Sequence, residues 1–348
     1  MFRTIDDIRN DLIKAGIAKT EADLLARQAR PAVWLKTSKV DDESAIAITA
    51  TKLGGRPDLP ADAIWPVRPA YPDVAKRTKF LLQDVADPDK AWSWAQPEQR
   101  EIFRQDALNR IEMIQSEQPL SFVAQINLAE MWAAGPLDPD MPRQGVLSIF
   151  YDMVEQPWGF DPQDRIAFAI LFNDTEGKQW ARRDEPAPLR ALAPSYRLSP
   201  LACTAHACMT PLPANTAQYR QLGLPDAFLD QLWENWHWSE NGPTSSENGE
   251  NWKCHHVCGW PTPVQGDMQT ECALVDSGHD VGHGDAYKDP ALAALRATAT
   301  NWLLLVQIGS DDKGDMMWGD SGQVYVWIRR DDLKARRFEN AWLIQQCY

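Results

Sequence analysis

An echo within the chain constrains its fold more than any single motif. "FVAQINL" at 122–128, followed by "GVLSIF" from Gly145, matches "LLVQIGS" at 304–310, followed by "GQVYVW" from Gly322. In each copy an apolar run ends in Gln-Ile, a variable loop follows, and a glycine leads the next run. The repetition predicts an α+β fold, a single large domain with two similar, largely antiparallel sheet-forming halves produced by internal duplication. Gly322 is then the counterpart of Gly145. Gly319-Asp320-Ser321-Gly322, which reproduces the string around the nucleophile of chymotrypsin-like proteases, becomes a loop ahead of a strand.

Ile5, Ile8, Leu12 and Ile13 mark one face of a helix that Gly16 can end. Thr20 with Asp23 reads as a capping box for a second helix, stopped by Pro31. An N-terminal helical hairpin, residues 1–31, should therefore pack on a main domain, 32–348. "AVWLKT" and "SAIAITA" read as strands, and "KLGGRPDLPADAIWP" as an ordered, irregular loop. Two stretches read as insertions. Residues 70–118 are polar, with a helix from Pro97, and residues 175–250 are rich in Pro, Gly and Trp, with a helix near "PDAFLDQLWENW".

Thirty-five basic against 49 acidic side chains leave a net charge of −14. A nucleic-acid or anionic-membrane partner is disfavoured on that balance, and a cationic partner is electrostatically easier. Acids among the first residues exclude a signal peptide from the reading, and no apolar run of about 18 residues suggests a membrane span. The expected address is the cytoplasm, where six cysteines serve as buried thiols or metal ligands rather than as a disulfide framework.

Serine catalysis needs a base, an orienter for it and an oxyanion hole, and the tetrapeptide alone supplies none. Asp and Ser are turn formers, so the bland reading of Ser321 is preferred. All six histidines and five of the six cysteines lie between 203 and 283. This crowding leaves zinc open, with Cys203, Cys208, Cys254, Cys258, His206 and His256 as ligands. The spacings Cys203-x4-Cys208 and Cys254-x3-Cys258 are not those of common structural zinc sites, so packing thiols and no cofactor are the first expectation. "GSDDKGDMMWGD" gathers Asp311, Asp312, Asp315 and Asp320 without EF-hand spacing, and is read as a solvated turn or a contact for a partner. Among 16 tryptophans most should be core, with one or two exposed as binding anchors; Trp260 and Trp318 are the candidates. No Gly-rich stretch has nucleotide-binding spacing.

"KLGGRPDLPADAIWP", "FVAQINL", "GVLSIFYD", "HHVCGWPTPVQGDMQ", "WLLLVQIGSDD" and "MMWGDSGQVYVWIRRDDL" resemble, in order, the blocks of the YwqG-like family, bacterial domains of unknown function. The resemblance implies a mixed α+β domain with two similar halves. It also implies an immunity or partner-binding role, since members are often associated with polymorphic-toxin loci. Its Gly-aromatic-Pro-x-x-x-Gln block falls on Gly259, Trp260, Pro261 and Gln265, and its Gln-Ile blocks on Gln125 and Gln307. Those glutamines either satisfy backbone groups at irregular strand ends or converge with Asp320 on a polar cleft. The expectation is a non-enzymatic, monomeric binding protein for a protein partner. The alternative is a small-ligand binder or enzyme with a Gln/Asp cleft, with or without zinc.

Overall fold

A computed structural model of the chain describes residues 1–193, 196–224 and 255–348, together with Phe228, Leu232 and Trp236. Its centre is one antiparallel sheet of ten strands. These are β1 (Arg30–Lys39), β2 (Lys52–Leu53), β6 (Ser121–Asn127), β7 (Val146–Tyr151), β8 (Phe168–Asn173), β10 (Leu201–Thr210), β11 (His255–Val257), β12 (Trp302–Gly309), β13 (Gln323–Arg329) and β14 (Trp342–Gln346). Their order across the sheet is β14-β13-β12-β11-β1-β10-β2-β6-β7-β8. Two short pairs sit beside it: β3 (Asp58–Pro60) with β9 (Trp180–Arg182), and β4 (Val67–Arg68) with β5 (Gln118–Pro119).

The sheet curls until it is nearly a barrel, and its two ends are joined by aromatic packing and one loop. Phe168 of β8 meets Trp342 of β14 edge-on at 5.5 Å. Between them run residues 157–160: Trp158 C=O accepts the Gln345 N–H (3.0 Å) and Gly159 C=O accepts Trp342 Nε1–H (2.9 Å). Side chains from all ten strands contribute to the principal apolar cluster, so the curled sheet encloses a packed core.

Alternation along β1 explains the N-terminal helices. Val33 and Leu35 enter the principal cluster, whereas Ala32 and Trp34 point the other way into a second one. That second cluster holds Ile8 and Leu12 of α1 (Ile5–Lys14) and Ala22 and Leu25 of α2 (Lys19–Ala26). Thr4 caps α1 through a capping box with Asp7. The N-cap of α2 is Ala18, not Thr20, which lies inside the helix, so the box expected at Thr20 and Asp23 does not form.

Other expectations also change. "SAIAITA" is not a strand: Glu43–Ala45 is a 3-10 turn, Ile48 is exposed and Thr49 has a left-handed φ of 65°. Residues 70–118 carry three helices, α3 (Val74–Ala86), α4 (Pro88–Ala91) and α5 (Pro97–Gln115). The stretch 175–250, read as an insertion, contains β10, which pairs along its whole length with β1 at the middle of the sheet. Its small Ala, Cys and Thr residues form no large apolar run, so the strand has little signature. The helix expected near "PDAFLDQLWENW" lies almost wholly outside the described residues.

The two flanks of the sheet are wired alike. β2 meets β6 through Lys52↔Gln125 and Leu53↔Ala124, and β11 meets β12 through His256↔Gln307 and Val257↔Val306. A β-bulge precedes each glutamine, between Phe122 and Ala124 and between Leu304 and Val306. The chain then leaves β2 and β11 by the same turn, with left-handed Gly54 and Gly55 in one case and Cys258 and Gly259 in the other. Gly54 N–H donates to Val123 C=O (2.7 Å), and Cys258 N–H to Leu305 C=O (2.9 Å).

Gly159 has a φ of 78°, and a Cβ there would strike the Leu343 carbonyl of β14. Gly159→Ala should therefore lower stability by at least about 2 kcal/mol, combining left-handed strain with a backbone clash. Urea unfolding followed by tryptophan fluorescence measures it; an unchanged midpoint would show that closure tolerates a side chain.

Candidate functional site

The glutamines do not converge. Gln125 and Gln307 are both buried, in the two opposite flanks of the sheet. Gln125 Oε1 accepts the Asp58 N–H (2.9 Å) while its Nε2 donates to Asp58 Oδ2 (2.8 Å) and Ala50 C=O (2.7 Å). Gln307 Oε1 accepts the Thr262 N–H (2.8 Å) and its Nε2 donates to Gln323 Oε1 (2.6 Å). Each glutamine thus fastens the loop that leaves the neighbouring strand. Gln265 is exposed and ties its loop to the chain end, donating from Nε2 to Cys347 C=O (2.7 Å). Asp320 and Asp312 are exposed, and Trp260 and Trp318 are core residues. The exposed tryptophans among the described residues are Trp94 and Trp158.

Asp315 is exposed and accepts from Ser199 Oγ (2.5 Å), while the half-buried acid of the loop, Asp311, anchors a different arrangement. An open cleft of about 650 Å³ lies at the end of the barrel where β1, β11 and β12 present one edge. Trp34, Lys36, Thr37, His255, Ser310 and Asp311 line it, with Asp312, Lys313, Ser321, Gln323 and Tyr348 completing the wall. Asp311 Oδ2 receives Thr37 Oγ1–H at 2.6 Å and faces His255 Nε2 at 3.3 Å, while Oδ1 accepts the Lys313 N–H at 2.9 Å. Lys313 Nζ donates back to Thr37 Oγ1 at 3.2 Å.

The protonation states follow from these bonds. Burial alone would raise the Asp311 carboxyl, but hydrogen bonds from His255, Thr37 and the Lys313 N–H outweigh it and hold it below its ordinary value. Burial also pulls the His255 imidazole down, against the pull of Asp311. A neutral imidazole beside an ionised, acceptor-only carboxylate carries its proton on Nε2 and its lone pair on Nδ1. That Nδ1 is buried and has no hydrogen-bond partner among the described residues. Chemically it can accept a donor, take a proton or ligate a cation.

The candidate zinc residues are dispersed. Cys203 and Cys208 belong to opposite faces of β10, Cys203 against the principal cluster and Cys208 in the second one. His206 packs against Trp34 in a tilted ring contact at 5.3 Å, and His256 Nδ1 engages Cys258 C=O at 2.9 Å. Cys254 lies outside the described residues. Among the described residues, no three His, Cys, Asp or Glu side chains are grouped to hold a metal. Burial pushes the thiols of Cys203, Cys208 and Cys258 up to about 12, which keeps them protonated and unreactive. Ser321 shares the cleft with His255, is exposed and has a φ of 52°, the geometry of a turn residue.

Sequence reasoning found Asp311 but missed His255, Thr37 and Lys313, whose partnership spans most of the chain. It also missed a buried ion cluster in the first flank. There Lys52, fully buried, sits 3.0 Å from Glu43 and 3.7 Å from Asp58, and Arg182 pairs with Asp58 at 2.9 Å.

Gln125→Leu and Gln307→Leu should each cost about 2 kcal/mol, because each leaves a loop N–H without its acceptor. The double variant should lose the sum to within about 0.5 kcal/mol, since the two glutamines lie in opposite flanks of the sheet. Strong non-additivity in urea unfolding would show that the flanks are coupled. A pH dependence follows from His256, pushed down to about 4 by burial. Its unfolded value is about 6.5, so the unfolded chain takes up the proton first and stability falls as pH drops from 6.5 towards 4. Between pH 7.5 and 5 the loss from this group is about 2 kcal/mol, and His256→Gln should lose correspondingly less. Equal losses in the two proteins would contradict the assignment.

Residues 51–347 match a family described as Domain of unknown function (DUF1963). The match takes in both flanks, with Gln125, Gln307 and the cleft residues His255 and Asp311, but not β1, which supplies Thr37. No curated protein matches the chain. With most of its length inside that match, the chain belongs to the DUF1963 family of domains of unknown function.

Proposed function

We propose that the protein is a non-enzymatic binding protein that receives a protein partner at the His255 cleft. The observation that carries this reading is the open polar cleft lined by His255, where Asp311, Thr37 and Lys313 are bonded to one another and the buried His255 Nδ1 is an acceptor with no partner among the described residues. A donor from a partner completes that set, and the net charge of −14 favours a cationic one. The raised thiols and the turn geometry of Ser321 support binding over nucleophilic catalysis.

We further infer an internal duplication. Leu53 pairs with Leu201 and Val257 with Val33, which makes Leu201 and Val33 counterparts and puts a pseudo-dyad at the pair Lys36↔Thr204, three residues beyond each. The matched bulges, turns and glutamine bonds support it, and Gly145 and Gly322 both lead into strands that pair two residues past the glutamine. The reading extends to YwqG-like membership, a cytoplasmic monomer and an immunity-type role, as the resemblance implies.

A second reading is favoured by the same nitrogen: a neutral histidine backed by a carboxylate also suits a small ligand, an enzyme or a zinc ion. Wild type immobilised in native lysate at moderate salt should retain a protein that Asp312→Lys and Ser321→Trp do not retain. A partner held equally by all three would put the interface elsewhere, and repeated failure to retain any would favour the small-ligand reading. Zinc below about a tenth of an equivalent in untagged protein would remove the metal version.

A further inference from the structure

Arg30 opens β1 and lies against the second flank, away from the His255 cleft. Its guanidinium carbon sits 3.5 Å from the centre of the Trp260 ring, a flat stacking contact. Trp260 is itself fixed, with its N–H bonded to Thr210 Oγ1 (2.7 Å) and its Nε1–H to Gln28 C=O (2.7 Å). Three other buried or half-buried arginines hold carboxylates: Arg68 with Asp152 at 2.6 Å, Arg77 with Asp164 at 2.6 Å, Arg182 with Asp58 at 2.9 Å. The Arg30 guanidinium makes no ion pair and no hydrogen bond among the described residues. Burial pulls it down to about 10, so it stays charged at neutral pH while short of a counter-ion. Stacking covers one face of the guanidinium and leaves its in-plane N–H fork open, the geometry that takes a carboxylate.

A pocket of about 130 Å³ lies beside this arginine. Its walls are apolar, with Leu137, Met141, Leu303, Leu304 and Leu333, and the exposed Pro139 stands at its rim. An apolar cavity of about 150 Å³ accommodates benzene, so this slightly smaller but open pocket takes a short chain or most of a ring. Cys258, buried at a φ of 61° where the first flank has Gly54, also lines it. The matched turn of the first flank also borders a pocket, of about 500 Å³, but its cation is already paired: Arg56, the counterpart of Trp260, meets Glu43 at 2.9 Å and Asp184 at 2.7 Å.

We propose that this pocket binds a small monocarboxylic acid with a short apolar or aromatic body, its carboxylate on the Arg30 fork and its body among the leucines. Asp138 lines the same pocket, but its carboxylate is held by Arg330 at 3.3 Å, with Asp140 on the same arginine at 2.5 Å. That remaining negative charge sets selectivity, because a second carboxylate on the ligand would face Asp138.

The test is calorimetric titration of the full chain with benzoate, hexanoate, benzamide and succinate. The two monocarboxylates should bind with Kd on the order of 1 mM or tighter, and benzamide and succinate at least about tenfold more weakly. Arg30→Met should abolish benzoate binding while raising Tm, since it removes an unpaired, half-buried cation. Asp138→Asn should tighten benzoate and admit succinate. Equal binding of benzoate and benzamide, benzoate binding retained in Arg30→Met, or no heat from either acid at about 10 mM would overturn the proposal.

Discussion

The fold depends on one hydrogen bond made twice: a buried glutamine, one residue beyond a β-bulge, accepting the backbone N–H of a loop that has just left the adjacent strand. A bulge interrupts the ladder and leaves backbone groups to be satisfied by other means. Gln125 and Gln307 supply those means, and because an amide carries both donors and acceptor, each also binds a second side chain of its own flank. The left-handed turns at Gly54 and Cys258 are then held in place rather than merely allowed.

From this repeated fastening the two flanks diverge in chemistry. At the matched positions, Lys52, Gly54, Arg56 and Asp58 face His256, Cys258, Trp260 and Thr262. The first set belongs to a closed ion cluster in which Lys52, Arg56 and Asp58 all have opposite charges within reach. The second carries no charged side chain, and leaves Arg30 stacked but unpaired. Buried charges paired on all sides specify geometry, whereas a charge left open solicits a ligand. The same skeleton carries paired charges in one flank and an unpaired one in the other.

Legibility from sequence followed residue size. β6, β7, β12, β13 and β14 stand out as apolar runs, and the echo around Gln125 and Gln307 locates the matched flanks. β10 was hidden because its Ala, Cys and Thr side chains give no periodic apolar signal, although it occupies the centre of the sheet. "SAIAITA" misled because alternation of Ile with small residues imitates a strand, while the left-handed Thr49 turns the chain away. At the site, Asp311 was visible within an acidic cluster. His255 was not, because its partner stands 56 positions away, and Arg30 was not, because stacking on Trp260 leaves no trace in local sequence. Trp260 was singled out as an anchor; buried, it serves instead as the platform on which a cation rests.

The position of β1 has a consequence for how the chain is handled. It lies before the matched stretch 51–347, yet it is the strand between β10 and β11, and its removal would divide the sheet into two open halves. One half would then offer the ten-residue unpaired edge of β10, which no Pro or charged gatekeeper interrupts, and the other the three-residue edge of β11. A fragment cut at the family boundary would be a strand acceptor, prone to borrow β1 from another copy and so to exchange segments or aggregate.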